Sequence, residues 1–253
     1  MEKNNSFNQI AFLFILGIAG CALSFIASAL TGSYSSISIP SDLTLSTATT
    51  TLAGILGGTQ EIPSSSFALS ALFHLIGLPL SAFGFYAVLK LFSKNRKVLR
   101  GFCKWSLVSF LALAAASYLI CTITLYIWKI FVSQIEGNRL STISDFAFTF
   151  LMPSACLMLI SYFVLSVILF IAVISKSTSL PLFFVVFNPL VPILLIVLLN
   201  LLIPGVPIWN VIKWGALSAS TLIFTASAFI HFLVSQGGSK TEAKSEPSEE
   251  IDE

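Results

Sequence analysis

Six stretches of this chain are apolar from end to end, and nearly all of its charge lies between or beyond them. They run approximately over residues 10–30, 67–90, 105–128, 146–175, 181–203 and 211–236, with Lys90 and Lys213 only at their edges. A helix needs roughly 20 apolar residues to cross about 30 Å of hydrocarbon, and each stretch meets that requirement. Backbone groups in lipid must find partners within their own segment, so such runs predict helices. The short alternating strands of a membrane barrel are not seen. The pattern predicts an all-α, polytopic membrane helix bundle of about six transmembrane helices over residues 1–236.

Composition supports this reading. Hydrophobic residues make up 56% of the 253 residues, the mean hydropathy is +0.95, and charged residues are 9%. Soluble domains carry roughly 25% charged residues. Lipid tails solvate apolar side chains directly, so a membrane chain manages with fewer. The net charge of +2 gives no reason to expect a nucleic-acid partner.

The distribution of charge sets the expected orientation. Lys90, Lys94, Arg96, Lys97, Arg100 and Lys104 fall within fifteen positions, whereas 31–66 holds no Lys or Arg. Basic short loops stay on the cytoplasmic side. The second loop is therefore expected inside, which places both termini in the cytoplasm of a cell-membrane protein. Lys94, Arg96, Lys97 and Arg100 read either as a topology signal alone or as contacts to anionic lipid heads, at around 1 kcal/mol per basic residue near the surface. Trp105, Trp128, Trp209 and Trp214 all fall at predicted span ends, where interfacial aromatics are expected. The first span has a rival reading as a cleaved signal segment, through Ala19-Gly20-Cys21 or Ala27-Ser28-Ala29. Its apolar run is longer than a usual 7–15-residue signal core, which favours a retained helix.

Between the first two spans, 31–66 is an outer loop with sixteen Ser or Thr residues. It reads as a polar loop with one amphipathic turn, or as a short re-entrant helix over a cavity. The tail, 237–253, ends Glu249-Glu250-Ile251-Asp252-Glu253 and has too few apolar residues to offset ordering entropy, so it is expected to be a disordered cytoplasmic segment.

Few side chains offer chemistry. Phe187-Asn188-Pro189-Leu190-Val191-Pro192 must distort the fifth span, because each proline removes a donor and blocks the carbonyl one turn earlier. The distortion either exposes backbone and the Asn188 amide to a ligand, as broken helices of transporters do, or is a structural kink satisfied by neighbouring helices. Asn188, Pro189 and Pro192 are thus ligand-binding candidates, together with His74 in the second span and His231 near the inner end of the sixth. Each histidine also reads, and more simply, as an interhelical hydrogen-bonder. Gly20, Ser24 and Ser28, with Gly77, Ser81 and Gly84, have the spacing of close helix packing. Pro153 falls near the outer end of a fourth run too long for the hydrocarbon, so the piece before it is expected at the interface unless the helix tilts. Cys21, Cys103, Cys121 and Cys156 match no metal or redox spacing. No cofactor or metal motif is present, and no nucleophile, base and orienting group form a recognisable catalytic set.

Leu13-Phe14-Ile15-Leu16-Gly17-Ile18-Ala19-Gly20, Leu52-Ala53-Gly54-Ile55-Leu56-Gly57-Gly58, His74-Leu75-Ile76-Gly77-Leu78-Pro79 with Gly84-Phe85-Tyr86, and Phe187-Asn188-Pro189-Leu190 carry a family resemblance. The chain resembles an uncharacterised multi-pass membrane family of prokaryotes known only as a domain of unknown function. That resemblance implies no activity and no site. The sequence thus points to a membrane protein that binds or transports a small uncharged or apolar ligand, or to an accessory protein acting through protein partners.

Overall fold

A computed structural model describes residues 2–32, 62–132, 137–202, 212 and 215–242. They form α1 (Glu2–Gly32), α2 (Ser64–Lys90), α3 (Lys97–Val132), α4 (Gly137–Phe146), α5 (Met152–Ile174), α6 (Leu190–Leu202) and α7 (Ala216–Glu242). A π-helical turn, Ala147–Leu151, joins α4 to α5, and a 3-10 segment, Leu182–Phe187, precedes α6. Extended pairing among the described residues is limited to one bridge, Phe92 with Thr178. The fold is an all-α bundle. Five helical stretches are long and apolar enough to cross a membrane: Phe7–Gly32, Ser64–Lys90, Lys97–Ile130, Thr142–Ile174 and Ala216–Ser235.

Small residues set the tightest contact. α1 and α2 lie antiparallel, with Gly17 against Gly84 and Gly20 against Gly77 and Ser81. A Cβ at Gly17 would come within 2.1 Å of the Gly84 Cα, and one at Gly20 within 2.2 Å of the Ser81 nitrogen. The backbones approach this closely only because neither face carries bulk there. α7 packs against α1 and also meets α2, and α3 runs between α2 and α5. Near the start of α1 the seam fills with rings: Phe7 stacks on Phe232 at 5.1 Å, Phe14 meets Phe229 and Phe232, and Phe85 meets Phe224.

The same end gathers two loops. Ser93 N–H donates to Ser177 O at 2.8 Å and Ser179 N–H to Leu91 O at 3.0 Å. The start of α1, both loops and the last turns of α7 therefore share one end of the bundle. Lys94, Arg96, Lys97 and Lys176 are exposed there. Lys176 takes a left-handed φ of 51°, which turns the chain off α5 toward Leu91.

The fifth apolar run is not one helix. Its helical part, α6, has 13 residues, about 20 Å long, against about 30 Å of hydrocarbon. The chain nevertheless leaves the shared end after Ser179, and α7 returns to it. Ala216, where α7 begins, therefore lies at the opposite end from Ser179.

Other elements differ from hydropathy in their limits. α3 begins at Lys97, eight residues before the apolar run, so Cys103 is a buried helical residue and not part of a basic loop. α7 continues to Glu242, into the tail expected to be disordered. Extending an existing helix adds one hydrogen bond per residue without a new nucleus, which explains why helices outlast their apolar stretch. Before Pro153 the backbone widens to i→i+5 spacing, and Met152 N–H reaches Ala147 O. This relieves the clash of the proline ring with the preceding turn, and the helix runs unbroken through 142–174. Trp105 faces outward, but Trp128 is 2% exposed and packs inside. Of the expected loop 31–66, Thr31 and Gly32 belong to α1 and Ser64–Ser66 to α2, while 33–61, Trp209, Trp214 and residues 243–253 lie outside the described residues.

Candidate functional site

At the break before α6, Asn188 acts as a helix cap. Its side chain accepts from Leu190 N–H at 3.1 Å, and its Nδ2 donates to Ser166 O on α5 at 2.9 Å. Its own carbonyl accepts from Val191 N–H. Pro189 and Pro192 then fall in the opening turn, where a missing donor costs least. The Pro189 carbonyl accepts from the Tyr162 hydroxyl at 3.2 Å, and Tyr162 also hydrogen-bonds Ser220 on α7. Asn188 is 3% exposed, and both atoms of its amide are engaged within the protein. The carbonyls freed by the prolines, those of Val185 and Asn188, accept locally from Asn188 N–H and Val191 N–H, while Asn188 and Tyr162 tie α5, α6 and α7 together.

His231 is elsewhere. Its Nε2 lies 3.2 Å from Ser179 O, and its ring is 5.6 Å from Phe184. It ties α7 to the turn that follows α5. His74, Asn188 and His231 share no partner, so the five sequence candidates are not one site.

His74 is the centre of a different constellation. Its Nδ1 is 3.0 Å from Ser70 O, a pure acceptor, so Nδ1 carries the hydrogen and donates. Nε2 is then the acceptor facing Ser28 Oγ at 3.3 Å. The ring stacks on Tyr118 at 4.0 Å. Ser70 Oγ donates in turn to Ala27 O across the α1–α2 seam. A serine, an imidazole and an orienting carbonyl are thus aligned, a set not visible in the sequence. Ser28 lines neither of the spaces described next, however, and its single hydroxyl hydrogen is shared between Ser24 O at 3.1 Å and His74 Nε2. The arrangement positions helices without presenting a nucleophile.

Two spaces adjoin this cluster. The first is a chamber between α1, α2, α3 and α7, lined by Cys21, Ser24, Ser81, Tyr118, Ser218 and Thr221, with a volume of about 10 Å³. Ser24 Oγ is buried there without a hydrogen-bond partner in the protein. The second is an open furrow between α2 and α3. Its inner part, about 270 Å³, has Ala71, Leu75, Ala115, Ala116 and Leu119 as walls and His74 with Tyr118 at its floor. An outer part of about 300 Å³ continues from Ala71 and Leu119 to Ser64, Phe67 and Tyr126. The furrow exists because alanines on both helices leave a gap that their larger neighbours hold open. Its walls are apolar, and both nitrogens of His74 are already engaged at its floor.

Tyr118 and Tyr162 are the residues that sequence reasoning passed over. A signal was present: both stand mid-span, away from the interfaces that tyrosine prefers. Each hydroxyl or ring meets partners from other helices.

No group of His, Cys, Asp and Glu among the described residues is arranged to hold a metal ion. No curated protein and no solved structure matches the chain. A protein-family comparison matches residues 1–235 to a family of unknown function, DUF6796. That match covers the whole described bundle apart from the last turns of α7, and the chain belongs to this family.

Proposed function

We propose that this multi-pass membrane protein binds the apolar part of a ligand in the lipid-facing furrow between α2 and α3. The observation that carries the reading is the furrow itself: alanine-walled, half-open to the bilayer, and floored by a histidine and a tyrosine that are already partnered. Such a surface suits hydrocarbon, because an apolar occupant leaves no donor or acceptor unmet. Binding is favoured over passage through the bundle. The phenylalanines at 14, 85, 224, 229 and 232 fill the seam at one end, and the chamber beside Tyr118 has room for little more than a water.

The test is photolabelling of the purified protein with a lipophilic diazirine. Labelled peptides should contain Leu75 and Leu119 at higher yield than the exposed faces of α5, and Ala116→Phe should remove the excess. Equal labelling of α2, α3 and α5 would sink the reading.

We also read the end that carries Lys94, Arg96, Lys97 and Arg100 as cytoplasmic, with these side chains against anionic lipid heads of the cell membrane. The gathering of Lys176 at the same end supports this. The glycine-tight α1–α2 seam supports retention of the first span.

A further inference from the structure

We propose that the furrow's occupant is one acyl chain of an anionic phospholipid, whose headgroup is held by Lys129. This rests on the binding reading above and adds the chemistry of the ligand. The exposed Trp105 and Tyr126 mark two levels on α3, 21 residues and about 32 Å apart, which is close to the thickness of the hydrocarbon layer. The furrow covers α3 from Ala115 to Tyr126, about 16 Å. It therefore starts at the middle of the bilayer and ends at one surface, a depth of one leaflet's hydrocarbon.

Lys129 stands one turn beyond Tyr126, at the height of lipid headgroups. Its Nζ lies 5.9 Å from the centre of the Phe67 ring, a wall of the outer furrow, and donates to the Ile62 carbonyl. An ammonium carries three donors, so one bond to Ile62 leaves capacity for a phosphate. Ser64 at the same mouth adds a hydroxyl. The charge is complementary to a phosphate, and the apolar channel below it is complementary to a chain of one leaflet's length. A zwitterionic lipid meets the second condition and weakens the first, because its own cation offsets the phosphate charge, and free phosphate meets only the first.

The experiment is native mass spectrometry of the full chain, purified from detergent and supplied with phosphatidylglycerol or phosphatidylcholine of identical acyl chains. The expected result is retention of one phosphatidylglycerol, favoured over phosphatidylcholine by about fivefold, the ratio one lysine near a membrane surface provides. Lys129→Gln should abolish the preference while one lipid of either kind remains bound. Ala71→Phe and Ala116→Phe, both on the lipid-facing side where added bulk is tolerated, should lose the lipid while elution and melting stay as in the wild type. Preference unchanged in Lys129→Gln would overturn the headgroup assignment and leave the apolar site standing. Retention of the lipid in both furrow variants would overturn the site itself. Binding of inorganic phosphate in place of the lipid, with no lipid retained, would likewise refute the acyl-chain assignment.

Discussion

A methyl group added at Gly17 would sit 2.1 Å from the Gly84 Cα, inside any tolerated contact. Gly101, on α3, has nothing within 4 Å of the same position. The two glycines therefore predict opposite outcomes for one substitution. Gly17→Ala should destabilise the bundle by about 1–3 kcal/mol through overpacking. Gly101→Ala should raise stability by up to about 1 kcal/mol, since alanine favours the helix and meets open space. Thermal unfolding in detergent reads both, and equal shifts would refute the close-seam account. Ser24 supplies a second residue-scale prediction. Its unpartnered hydroxyl faces a chamber of about 10 Å³ ringed by other hydroxyls, and a water placed there meets several polar groups. Ser24→Ala should then cost about 1 kcal/mol by removing one of that water's partners. A dry chamber predicts the reverse sign, because alanine would relieve a buried, unsatisfied hydroxyl.

Elements show how composition and structure part company. The run 181–203 is as apolar as its neighbours, so hydropathy reads it as a span, and its two prolines announce a distortion. What neither signal carries is the identity of the groups that accept the break. The cap itself is local, from Asn188 to Leu190, but Tyr162 and Ser166 on α5 and Ser220 on α7 brace the junction only by meeting it in space. The same limit applied to His74, whose partner Ser28 is 46 residues away. Conversely, hydropathy reports solvation and so predicts a loop for the six-residue basic cluster, whereas α3 stays helical through Lys97, Arg100 and Lys104 outside the apolar run. The bundle, its small-residue seam and the place of the break were legible, because each is a local property of the chain. The furrow was not, since Ala71 on one helix and Ala115 and Ala116 on another meet only in space. Capping can be tested directly. Asn188→Ala should destabilise the protein by about 0.5–2 kcal/mol, while Asn188→Ser, which keeps an acceptor for the Leu190 N–H, should recover part of the loss. If alanine and serine behave alike, the amide's bond to Ser166 matters and the cap does not.

At the scale of the molecule, the ends of the bundle decide how many times the chain crosses. Phe7 stacks on Phe232, His231 reaches Ser179, and Ser93 pairs with Ser177. The start of α1, the turns after α2 and α5, and the last turns of α7 are therefore neighbours. An odd number of passages would separate the first of these from the last. Five helices suffice in length, and the labelling pattern of a sixth passage before α7 is the prediction to test. Cysteine labelling resolves this without reference to side-chain detail. In a background with Cys21, Cys103, Cys121 and Cys156 replaced, Ser93→Cys and Ser179→Cys should react with an impermeant reagent from one face of sealed vesicles, and Ser65→Cys from the other. All three positions are exposed, so failure to react would not reflect burial. With the basic end inside the cell, Ser65→Cys is the position labelled in intact cells. Labelling of Ser65→Cys and Ser93→Cys from one face would mean that α2 does not cross, and the arrangement of the whole bundle in the bilayer would have to be redrawn around its α1–α2 seam.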